Sequence, residues 1–154
     1  MASNYPIAAE HVLVIIPNGV FGATAQYKNH DPQRIKHVHI TKEYVQLHMD
    51  KKDHAQAIVE FETYLLHFQQ QIDSEYKELQ YDAYERVEYD QHYAHICFYL
   101  TAEQYFQHRF LEMNELELVI DALHYQLYKG LTPSVTFQYI DSETQLELGK
   151  ISYP

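Results

Sequence analysis

Cysteine, glycine, tryptophan and basic residues are all scarce in this chain, and each scarcity but that of tryptophan removes a class of function. One cysteine, Cys97, in 154 residues closes no internal disulfide and supplies no Cys-x-x-Cys redox or zinc motif. Its apolar neighbours Ile96 and Phe98 predict a buried, inert thiol. Four glycines, at 19, 22, 130 and 149, cannot form a Gly-rich phosphate loop, and the Gly-x-Ser-x-Gly elbow and His-Glu-x-x-His signature are missing. No motif calls for a cofactor. The apolar run near the N-terminus, Val12 to Ile16, lacks a preceding basic stretch and is far short of the roughly 20 residues that span a bilayer, so the chain reads as cytoplasmic. With no linker-like tract, residues 1–154 read as a single domain, long enough to bury roughly two thirds of its unfolded surface.

The shortage of bases matters most. Eleven Lys and Arg stand against 22 Asp and Glu, a net charge of −11. Such a surface repels phosphates and anionic headgroups, so neither direct nucleic-acid binding nor membrane binding is expected, whereas a basic protein partner fits. Two side chains are abundant instead: 15 tyrosines, each with an apolar face and a polar tip suited to interfaces, and 11 histidines.

Periodicity supplies the elements. Ile58, Phe61, Leu65, Phe68, Ile72, Tyr76 and Leu79 recur at steps of three or four, predicting a long central helix over about 53–80, opened by an Asp53/Gln56 capping box and prone to break near Asp73-Ser74. Thr101/Gln104 and Asn114/Glu117 open two shorter helices, about 102–112 and 115–128, the second with an inward stripe of Leu116, Val119, Ile120, Leu123 and Leu127. Strands are expected at His11–Ile16, Val20–Tyr27, Ile35–Thr41, Tyr44–Met49, Glu85–Tyr89, Tyr93–Leu100, Val135–Ile140 and Gln145–Gly149. The fold class is α+β, a largely antiparallel sheet with the helices packed on it.

Three sets of residues bear on function. Carboxylates at Glu75, Glu78, Asp82, Glu85, Glu88 and Asp90 interleave with Tyr76, Tyr81, Tyr84 and Tyr89, and a second acidic strip follows at Glu112, Glu115, Glu117 and Asp121. Aromatic anchors beside acids suit a surface that steers and pairs with Lys or Arg, so the expected partner-binding residues are Tyr76, Tyr81, Asp82, Tyr84, Glu85, Glu88 and Tyr89. The leading expectation is a non-enzymatic protein that docks on and neutralises a basic partner, as an immunity protein or nuclease inhibitor does. A second set is metal-directed: His37 and His39, two apart on one strand face, with His95 or a carboxylate as third ligand. Third, His37-Val38-His39-Ile40-Thr41 resembles the His-x-Thr motif of the two-histidine phosphoesterases. That resemblance implies catalytic His39, phosphate-holding Thr41 and a second histidine, His95, whose tripeptide ends in Cys97 where the family has a hydroxyl. Finally, an exposed sheet edge would make a homodimer, as a self-associating structural or regulatory subunit.

Overall fold

The structure is a computed structural model that describes residues 10–27, 31–107 and 111–154, with only the backbone of 111–114. It bears out the α+β class, with three described helices on two sheets. Strands β1 (His11–Pro17), β2 (Ile35–Ile40) and β3 (Tyr44–Asp50) form an antiparallel sheet in the order β1-β3-β2. Helix α1 (Lys51–Asp73) follows, then β4 (Arg86–Tyr89), β5 (His95–Leu100), α2 (Ala102–Gln107), α3 (Leu111–Tyr128), β6 (Val135–Asp141) and β7 (Glu147–Tyr153). The second sheet runs β4-β5-β6-β7, and β5 and β6, joined through α2 and α3, are its one parallel pair.

Two clusters of buried side chains form the interior, one under each sheet. Val14, Ile16, Val45 and Leu47 face the first cluster together with Ala57, Leu127 and Tyr128, while Leu65, Phe68 and Ile72 of α1 join Ile96, Phe98 and Phe137 in the second. Val20, Phe21, Ile58 and Phe61 touch both clusters, so the N-terminal half of α1 bridges them. Phe61 meets His124 and Tyr128 near the end of α3, and Tyr64 and Phe68 meet Glu117 and Leu118 near its beginning. The two helices therefore run antiparallel.

Several expectations need correction. The long helix ends at Asp73, not near 80: Ser74 is extended at its C-cap, and its hydroxyl accepts from the Tyr76 N–H at 3.3 Å, a local bond that competes with helix continuation. Tyr76 and Leu79, 85% and 66% exposed, consequently leave the apolar stripe. The helix starts at Lys51 with Asp50 as N-cap, so Asp53 lies in the first turn, where its charge suits the helix dipole, and there is no capping box. Val20–Tyr27 is no strand, because Gly19 and Gly22 take positive φ and Thr24–Gln26 winds into a single 3-10 turn. The Thr101 cap is present, its hydroxyl accepting from Gln104 N–H at 3.1 Å, but α3 already includes Leu111, so Asn114 is inside the helix and not at its start. The predicted continuation from 108 to 110 lies outside the described residues. Of the stripe expected on α3, Val119, Leu123 and Leu127 are buried, but Leu116 is exposed and Ile120 half-buried, and Glu115, Leu118, Ala122 and Tyr125 are buried as well.

Candidate functional site

The tyrosine and acid series does not assemble into one surface. Residues 86–89 are a strand, whose successive side chains point to opposite faces. Glu88 lies on the outer face beside Arg86 at 2.9 Å, whereas Tyr89 turns to the core side, its hydroxyl donating to the Leu65 carbonyl at 2.7 Å. Tyr84 is fully buried: its ring lies tilted against Phe98, centroids 5.3 Å apart, and its hydroxyl donates to Glu115 at 2.9 Å. Burial and the Glu115 carboxylate push the Tyr84 phenol far above its ordinary range. Neither Tyr84 nor Tyr89 offers its phenol to a partner. Glu115 leaves the acidic strip too, for it is buried and accepts from both Tyr84 and Tyr139. Tyr76, Asp82 and Glu85 are exposed, and Tyr81 is half-buried against Phe68 with ring centroids 5.5 Å apart. The Glu112 side chain is outside the described residues.

The histidines divide between the sheets. His37 and His39 occupy the face of the first sheet turned away from its apolar cluster, opposite His48 and Gln46 in register, both buried, with the His37 and His48 rings 5.1 Å apart. His95 lies in the second sheet beside Cys97, ring nitrogen 3.8 Å from sulfur. His39 and His95 thus belong to different sheets. Thr41 is engaged locally, its hydroxyl accepting the Glu43 and Tyr44 N–H groups that close the β2–β3 turn. Among the described residues no group of three His, Cys, Asp or Glu side chains is placed to hold a metal ion. Cys97 is half-buried rather than buried, and desolvation followed by the charges of Glu88 and Asp90 pushes its thiol up, away from the reactive thiolate.

What the packing does create is a groove of about 330 Å³ between α1 and α3. Phe68 and Leu118, both buried, make its apolar floor. Tyr64 from α1, 57% exposed, and Tyr81 from the 3-10 turn at Leu79–Tyr81 supply aromatic walls, and His67 lies a turn from Tyr64 on α1. From α3 come Glu117 and Asp121, four residues apart and therefore neighbours on one helix face. Neither carboxylate is paired with a Lys or Arg among the described residues. Burial, then the charge of Glu117, pushes the Asp121 carboxyl up to about 7. An apolar floor with a few converging polar groups and a perturbed carboxyl in a cleft is the usual form of a binding site.

Tyr81 belongs to the first predicted series and Glu117 and Asp121 to the second. Their meeting was not visible in the sequence, because it follows from how the helices pack. Tyr64 and His67 have no signal of this kind in the sequence, since both fall off the apolar stripe of α1. Compared with protein-family models, curated proteins and solved structures, the chain matches none.

Proposed function

We propose that this chain is a non-enzymatic binding protein that docks on a basic protein in the cytoplasm and neutralises it, as immunity proteins and nuclease inhibitors do. The observation that supports this reading is the groove, in which tyrosines line an apolar floor beside two carboxylates that have no cationic partner among the described residues. Aromatic walls favour a cation through the ring quadrupole, and carboxylates favour it through charge. The net charge of −11 adds long-range attraction of the same sign. Exposed Tyr76, Asp82 and Glu85, close in sequence to Tyr81, extend the surface available to a partner.

The test is retention on the immobilised chain from lysate of its native host, run beside a Glu117→Gln/Asp121→Asn double variant. The expected result is a basic protein held at low salt, released as the screening length shrinks from about 10 Å at 0.1 M to about 3 Å at 1 M, and bound far less by the variant. Retention of no basic protein, or retention that neither salt nor the variant weakens, contradicts the proposal.

A further inference from the structure

The groove also specifies which cation it suits, and how entry is controlled. This inference rests on the docking reading above and refines its central site. We propose that the groove between α1 and α3 is a proton-gated receptor for one arginine side chain of the partner, which enters only when Asp121 has released its proton.

Size argues first. At about 330 Å³ the groove is near the lower end of ligand pockets, suited to one long side chain and too small for a helix. Geometry argues for arginine over lysine. Two carboxylates one helical turn apart supply separate oxygens for the planar fork of five N–H donors on a guanidinium, a flat group that stacks on aromatic rings, and Tyr64 and Tyr81 line the same groove. An ammonium is a compact, strongly hydrated charge and would give up more water at the same floor of Phe68 and Leu118.

The gate follows from placing an acid in that setting. Asp121 is half-buried and faces Glu117 on its own helix, Tyr64 and His67 from α1 and Tyr81 from the turn. Desolvation and the Glu117 charge hold its carboxyl up to about 7, so near neutral pH it is partly protonated and only its ionised fraction pairs with a guanidinium.

The experiment titrates the full chain with N-acetyl-arginine amide and with N-acetyl-lysine amide, followed by backbone amide NMR shifts at pH 6 and pH 8. For a carboxyl titrating at about 7, the ionised fraction and with it the apparent affinity for the arginine probe rises about tenfold between those pH values. The expected result is that rise, shifts centred on residues 117–121 and 64–68, weaker binding of the lysine probe, and loss of the rise in Asp121→Asn but not in His67→Gln. Equal affinity for both probes overturns the choice of arginine. Affinity independent of pH, or a rise that survives Asp121→Asn, overturns the gate. Absence of binding at either pH overturns the receptor itself. If a basic protein is still captured and released by salt while the arginine probe leaves residues 117–121 unmoved, docking stands and this refinement fails.

Discussion

His124 is held where a charged ring would be costly. It stacks on Phe21 with ring centroids 4.1 Å apart and on Phe61 at 5.3 Å. Nδ1 donates to the Ile120 carbonyl at 2.8 Å, which leaves Nε2 to accept from the Tyr27 hydroxyl at 3.3 Å. Burial lowers the imidazole to about 4, outweighing the Ile120 bond that raises it. The unfolded chain takes up this proton near the ordinary histidine value of about 6.5. Stability is therefore complete above about 6.5 and is lost as pH falls through about 4, by about 3 kcal/mol from this one group. His48, lowered chiefly by burial, adds in the same direction. Urea denaturation at pH 7 and pH 4 checks this: His124→Phe should shrink the difference by about 3 kcal/mol, and an unchanged difference contradicts it. Asp121 has the opposite sign. Its folded carboxyl binds a proton more tightly than the unfolded one, so it lowers stability as pH rises towards about 7 and beyond. Asp121→Asn should raise stability at pH 8 by roughly 2 kcal/mol, discounted for partial solvent contact, and change it little at pH 4. A substitution that stabilises the fold while weakening cation binding is the mark of a carboxylate kept for binding; a loss of stability at pH 8 would contradict that.

At the scale of elements, α1 is what the rest is built against, and Leu65, fully buried at its middle, is its anchor in the larger cluster. Leu65→Ala should cost about 2–5 kcal/mol by removing apolar contact and leaving a cavity, read as a lower urea midpoint at unchanged slope. A cost below about 1 kcal/mol would mean that the helix is not packed as described. The sequence showed this helix because three- and four-residue spacing survives from Ile58 to Ile72. It did not show the start, because Asp50 is both the last residue of β3 and the N-cap, and its carboxylate meets His11 at 3.0 Å and Lys36 at 3.8 Å across the sheet. It showed the inward face of α3 only in part: Val119, Leu123 and Leu127 are buried, but Leu116 is exposed. From Ala122 to Tyr128 every residue is buried, since this half lies between the two clusters, and no one-sided stripe can exist there. The interleaved tyrosines and acids carried the opposite lesson. On a strand, a spacing of one separates two residues onto different faces, so Glu88 and Tyr89 could have been parted from the pattern alone.

For the molecule as a whole, charge and packing make separate predictions. With a net charge of −11, self-repulsion weakens the compact state, and raising sodium chloride from 0.1 to 0.5 M should increase the melting temperature by screening it. A melting temperature that falls would show that paired charges, not repelling ones, dominate the surface. The groove belongs to this scale as well, because its lining comes from α1, α3 and the turn between α1 and β4. Part of it was legible, in that Glu117 and Asp121 are spaced to share a helix face and Tyr81 stands beside acids. The antiparallel packing that brings Tyr64 and His67 to them is a tertiary fact with no local signature.

The most direct measurement is an NMR titration of the Asp121 carboxyl carbon, with and without saturating N-acetyl-arginine amide. A desolvated carboxyl awaiting a cation should titrate at about 7 in the free chain and fall to about 6 or lower when the guanidinium is bound. A midpoint at the ordinary aspartate value of about 4, unmoved by the ligand, would contradict the account.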